Sequence, residues 1–328
     1  ILKMLHLPSS QTKIVIILLA FLSFSSASAG NEKDSLWSIW NDADVQDSVR
    51  LKAMQRLSKD IMLYKQPDSA FQFAALQLSL ATKLKSYRYS GEALNTQGIS
   101  WAIRGDMEKA MNLFEQALDE YEKGRLEAKV ASALYNIGNV YASMGNDSLA
   151  ANYMKRSLAL SKKTMNIRAS VRALHGLGRQ YERRGDFKEA MDYFAEALAL
   201  SKSNNDIEGM IFAQRSMATI SKLRGNHVRA IELLGMALTK AEEIEDFRNI
   251  SYCLDNIGIL YERQGEPEKA LEFYQKGLSL SKEVGDQSGV VESLINLGSA
   301  YVEMSDFKQA THYFEQSLTL ATEMGDRK

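Results

Sequence analysis

Small, apolar and polar residues alternate along most of the chain with the spacing of a helical face, most clearly from Gly178 to Ala197. There Gly178, Tyr181, Gly185, Ala190, Phe194 and Ala197 are placed so that two amphipathic helices meet at a Gly-Asp turn, which predicts a helical hairpin. Steps of forty residues carry Gly178 onto Gly98, Gly138, Ala218, Gly258 and Gly298, and Tyr181 onto Trp101, Tyr141, Ser221, Tyr261 and Tyr301. The turn glycine returns as Gly105, Gly145, Gly225 and Gly265, with Ser305 in the last copy, while Ala190 returns as Ala110, Ala150, Ala230, Ala270 and Ala310. Six copies in phase predict stacked hairpins that share one continuous core.

Each recurring residue has a physical role to fill. A small residue on the first helix of a hairpin, helix A, is expected to face the alanine on the second, helix B, so that the backbones approach closely. The aromatic three residues later fills the adjoining space. The turn glycine can end helix A in the left-handed region, and the next residue, Asp106, Asn146, Asp186, Asn226 or Asp306, suits the N-cap of helix B. Asp186 with Glu189 has capping-box spacing. Counting each copy from its first residue, 91 in the first, helix A is expected over about the first fourteen positions and helix B over about positions seventeen to thirty-four. Asn166, Asp206, Asp246, Asp286 and Asp326 keep phase between copies and are expected to cap the following helix A. Repeat four departs most, with Ala218, Ser221 and Leu234, and is expected to be the loosest. Val45 to Leu84 reads as a diverged hairpin, because Ala70 precedes Ala110 by forty residues and Pro67 precedes Pro267 by two hundred, each proline in a first helical turn.

With Gly178, Tyr181, Ala190 and Phe194 the chain resembles the tetratricopeptide repeat family, in the form of extended forty-residue repeats, over roughly Gly91 to Lys328. The resemblance implies an all-α fold, a right-handed superhelical solenoid of antiparallel helix pairs in which helices A line a concave groove that binds a peptide or protein. Carried onto this sequence, the groove-facing positions 2, 5, 6, 9, 12 and 13 hold Arg172, His175, Arg179 and Arg183 in repeat three, with Glu182 between them, and Arg215 and Lys222 in repeat four. Repeats five and six instead present Asp255, Glu262, Glu292 and Glu303, with Arg263 as an exception. Asn136, Asn256 and Asn296 share position 6, where the family often uses an amide to hold a peptide backbone. Thr96, Gly176 and Ser216 interrupt that ladder. Clustered arginines suit an acidic peptide or a C-terminal carboxylate.

The 328 residues are 45% hydrophobic and 25% charged with a formal net charge of -1, so composition offers no argument for nucleic acid as a partner. Lys3 and Lys13 precede the apolar run Ile14 to Phe24 and the small residues ending at Ala29, the form of a secretory signal peptide over 1-29. Eleven strongly apolar residues fall short of the roughly 20 that span a bilayer. A linker or cap, 30-44, precedes the diverged hairpin, 45-90, and the six repeats, 91-328. It carries Leu36, Trp37, Ile39 and Trp40, which are expected to cover the first helix pair. Cys253 is the one cysteine, and its counterparts Ala93, Ala133, Ala173, Ala213 and Ser293 mark it as a packed small side chain.

No nucleophile, base or metal cluster stands at workable spacing, and no Gly-rich phosphate loop is present, so this segment is expected to be neither an enzyme nor a cofactor or metal binder. Residues 323-326 repeat the connector that elsewhere opens a helix A, so the natural polypeptide is expected to continue. The signal, the segment Leu36 to Asp42 and that connector resemble the extracytoplasmic sensory region of bacterial membrane-bound adenylate or guanylate cyclases and histidine kinases. This likeness implies an input module in the periplasm or cell envelope, reaching a membrane only through an anchor farther along. The alternative is a free-standing envelope scaffold or assembly factor without an output domain.

Overall fold

The computed structural model describes residues 29-325, and the expected leader lies outside the described residues except for its last residue. Among the described residues every regular element is helical. Helix α1 (Ala29–Asn41) is followed by α2 (Asp47–Gln55), which runs on as a π-helical stretch, Arg56–Met62, and by α3 (Pro67–Lys83). Then come α4 (Tyr87–Ile103), α5 (Met107–Lys123), α6 (Glu127–Ser143), α7 (Asp147–Lys163), α8 (Ile167–Arg183) and α9 (Phe187–Ser203). The rest are α10 (Ile207–Leu223), α11 (His227–Glu243), α12 (Phe247–Arg263), α13 (Pro267–Glu283), α14 (Gln287–Glu303) and α15 (Phe307–Gly325). Pro67 and Pro267 open α3 and α13, where a missing N–H costs no helical hydrogen bond.

From α3 to α14 every helix has 17 residues, and three-residue connectors set a helix start every twenty. The forty-residue repeat is therefore two structural halves of equal length. The middle residue of each connector has positive φ: glycine at 105, 145, 185, 225, 265 and 285, but Lys85, Arg125, Met165, Asn205, Glu245 and Ser305 at the others. Both kinds close the same two bonds. Gly185 N donates to Glu182 O and Asp186 N to Tyr181 O at the end of α8, and Met165 N donates to Lys162 O and Asn166 N to Ser161 O at the end of α7.

Helix A begins four residues earlier than the repeat count implies, because its N-cap stands there. Asn166, Asp206, Asp246 and Asp286 each accept a hydrogen bond from the backbone N–H three residues on. Helix B is capped in the same way by Asp106, Asn146, Asn226 and Asp306. Asp186 is different: its side chain makes no cap bond, and its carboxylate pairs with Arg184 at 3.1 Å.

The small residue of helix A faces an aromatic ring, and this corrects the expectation that it opposes the alanine of helix B. A Cβ added at Gly98, Gly178, Gly258 or Gly298 would collide with the ring of Phe114, Phe194, Tyr274 or Phe314, sixteen residues on in the partner helix. Repeat four has Ala218 and Leu234 at the same two positions, both buried in one cluster. The methyl gained on one helix is matched by a ring lost on the other.

The chain divides into two compact units between Met144 and Gly145. In the first, α1 lies on the diverged hairpin: Leu36 is buried with Met54, Leu57, Met62 and Leu63, the Trp37 ring meets Phe73 at 5.5 Å, and Arg50 Nε donates to Trp40 O at 2.9 Å. In the second, a core including Phe194, Ile211, Ile220, Leu233, Ile257 and Leu260 runs through repeat four, so packing there is no thinner than around it. Cys253 is fully buried in that core, which drives its thiol pKa up to about 12. Within this unit α8, α10, α12 and α14 touch in succession, whereas successive helices B make no comparable contact. Helices A therefore line the inner side.

Candidate functional site: the helix A face of repeats three to six

The residues expected at the groove are tied from one helix A to the next. In the first unit Asn136 Nδ2 on α6 donates to Asn95 Oδ1 on α4 at 2.7 Å. In the second, His175 Nε2 on α8 shares a 2.9 Å hydrogen bond with Ser216 Oγ on α10. Lys222 Nζ on α10 donates to Asn256 Oδ1 on α12 at 3.0 Å. Asn296 on α14 hydrogen-bonds the Asp255 carboxylate of α12. Asn256 Nδ2 turns back to Tyr252 O at 2.9 Å. Asn136, Asn256 and Asn296 thus already hold neighbouring helices together.

The cations divide by what they touch. Arg183, at the end of α8, pairs with Asp147 of α7 and so belongs to the rim of its repeat. Arg172 and Arg179 are exposed on α8. Arg215 is held firmly: its guanidinium lies 3.4 Å from the centre of the Tyr252 ring and donates to Asn249 Oδ1. Both contacts are with uncharged groups, and Lys222 likewise meets an amide. Neither Arg215 nor Lys222 has a carboxylate within ion-pair distance among the described residues, in contrast to Arg183–Asp147 and Lys162–Glu196 on other faces.

His175 lies between these cations and two rings, Phe194 at 5.3 Å and Phe212 at 5.4 Å. Burial first, then Arg179 and Arg215, push its pKa down to about 4, so it is neutral at pH 7. Toward repeats five and six the sign of charge changes. Burial and the neighbouring Glu292 push Asp255 up to about 6 against the Asn296 hydrogen bond. Glu262 is raised by burial, opposed by the hydroxyl of Tyr274, which donates to it. One Asp255 oxygen is buried without a hydrogen-bond partner, and a methyl at Gly277 would stand 3.4 Å from it.

Sequence reasoning passed over Phe212, Tyr252 and Asn249. The first two occupy position 2, one of the groove-facing positions, so the signal was the aromatic residue type at a place otherwise held by Glu92, Ser132, Arg172 and Glu292. Among the described residues no three His, Cys, Asp or Glu side chains are grouped to hold a metal ion, and no helix is long and apolar enough to cross a membrane.

Consecutive antiparallel helix pairs of fixed length make the chain an all-α solenoid that works as a protein-interaction module, with helices A of the second unit lining an inner face of bonded side chains. The tetratricopeptide repeat model matches residues 89-163, 129-203, 209-283 and 256-323, and the chain belongs to that family. No curated protein matches the chain. Among solved structures it is similar to BtubC of P. vanneervenii (TM-score 0.61, 17% identity, 67% of this chain and 92% of that one). A signal transduction ATPase with numerous domains and a tetratricopeptide repeat sensor, from Pyrococcus horikoshii, gives a TM-score of 0.67 at 14% identity, over 92% of this chain and 48% of that one. A Rap protein complexed with competence and sporulation factor gives 0.56 at 12% identity, over 92% and 99%. At such identities the likeness is one of fold.

Proposed function

We propose that the chain is an exported recognition module that takes an acidic peptide or protein segment along the helix A face of repeats three and four. On this reading it serves as the input region of a signalling protein. The observation that carries the proposal is the pairing of Arg215 and Lys222 with neutral amides: the side chains are positioned with no carboxylate in ion-pair contact, as recognition of a ligand carboxylate requires. The basic-to-acidic change of the face toward Asp255 gives the ligand a preferred direction. A fold-mate bound to competence and sporulation factor and another carrying a repeat sensor support a sensory role. The leader pattern of residues 1-29 supports export.

The test is fluorescence anisotropy with labelled decapeptides, one glutamate-rich, one neutral and one lysine-rich, on the intact chain. The glutamate-rich peptide is expected to bind best, and Arg179→Glu with Lys222→Glu to weaken it by about tenfold or more, with a loss that shrinks at high salt. Equal binding of all three peptides, or unchanged affinity after charge reversal, would refute the reading. Export is tested by the N-terminus of the mature chain, expected at Gly30. The input role is tested by the gene sequence past Lys328, where an apolar run of about 20 residues and an output domain are expected. A polar cap and a stop there would favour the free-standing scaffold.

A further inference from the structure

Phe212 stands on the helix A face of repeat four with 48% of its surface exposed, beside His175 of the preceding helix A and Arg215 of its own. An isolated exposed aromatic residue is ordinary on a protein surface, but the surroundings of this one are not. Its ring meets the imidazole of His175 edge-on at 5.4 Å, while the rest of it faces the inner side uncovered. Arg215, one turn farther along the same helix, is 5.9 Å from the Phe212 ring centre and 3.4 Å from that of Tyr252. The guanidinium therefore packs closely on Tyr252 and only loosely on Phe212, which keeps about half its surface exposed. His175, neutral at pH 7, adds no charge to the floor between them.

We propose that Phe212 is a specificity-determining residue that seats an apolar side chain of the ligand two residues from the acidic side chain taken by Arg215. This rests on the acidic-segment reading above. Residues three apart on a helix have Cβ atoms about 5-6 Å apart, and an extended peptide brings positions i and i+2 to one face at about 6.6 Å. Aspartate or glutamate followed or preceded at two residues by an aromatic or large aliphatic residue fits that spacing. A carboxylate alone would leave the ring in water.

Selection of random dodecapeptides displayed on phage against the intact chain tests both levels. Enrichment of acidic residues with an apolar residue two positions away is expected. A synthetic peptide of that pattern should bind Phe212→Ser about tenfold more weakly, while a peptide with alanine at the apolar position binds both proteins equally. Acidic enrichment with no apolar preference at that spacing, or a preference that survives in Phe212→Ser, overturns the inference and leaves the acidic-segment reading standing. Absence of acidic enrichment overturns that reading and this inference with it.

Discussion

Six connector residues carry a Cβ into the left-handed region, where the side chain crowds the following carbonyl at about 1-2 kcal/mol. Met165 is the clearest case, since its φ is 51° and 84% of its surface is exposed, so packing returns nothing for the strain. Met165→Gly is expected to stabilise the chain by about 0.5-1 kcal/mol, the strain relieved less the extra freedom glycine gives the unfolded chain. Asn205→Gly should gain less, because asparagine tolerates this conformation. Gly185→Ala, at φ 79°, should cost about 1-2 kcal/mol. Urea unfolding of the three variants gives the order, and a Met165→Gly variant less stable than its parent would contradict it. These strained positions were not legible in the sequence. Lys85, Arg125, Met165 and Glu245 are not turn-forming residue types, and their conformation is imposed by three-residue connections between long antiparallel helices.

Helix pairs show how residue identity and neighbour separate as kinds of information. The phase of Gly178, Tyr181, Ala190 and Phe194 was readable and gave the hairpin, yet the contact between Gly178 and Phe194 depends on how the two helices are rotated about their axes. Periodicity names a face; rotation decides what meets it. The same limit applied to the candidate site. Position numbers placed Arg183 beside Arg179, while the side chain swings to Asp147, and the asparagines of position 6 found partners on the adjacent helix. Helix A also starts four residues before the repeat count places it, although Asn166, Asp206, Asp246 and Asp286 do cap it; Asp326, expected to do the same, lies outside the described residues. The glycine-ring contact makes a prediction about the pair. Gly178→Ala should destabilise by about 1-3 kcal/mol through overpacking, and Phe194→Leu by a similar amount through a cavity. Combined, they recreate the Ala218 and Leu234 arrangement of repeat four and should cost less than the sum of the two. Additive losses in a double-mutant cycle would show that ring and backbone do not compete for the same space.

Stability of the whole chain against pH is set in part by two groups on the helix A face that pull in opposite directions. His175 has its folded pKa lowered to about 4, so its contribution is present above its unfolded value of 6.5 and is lost as pH falls toward 4. Asp255 has its folded pKa raised from 3.8 to about 6, so the folded state holds that proton more tightly. The resulting stabilisation is complete below 3.8 and disappears as pH rises through 6. Between pH 7 and 5 the histidine withdraws about 2 kcal/mol and the aspartate returns about 1 kcal/mol. Glu182 and Glu262, both raised mainly by burial, act in the same direction as Asp255. Replacing His175 by glutamine keeps a partner for Ser216 while removing the unfavourable proton. Thermal unfolding of His175→Gln should therefore gain stability, relative to the parent, on acidification from pH 7 to 5. Asp255→Asn should lose stability more steeply than the parent over the same interval. A His175→Gln variant that follows the parent's pH profile would mean the imidazole is solvated enough to take up its proton freely, and the apolar, charge-flanked floor assigned to repeats three and four would go with it.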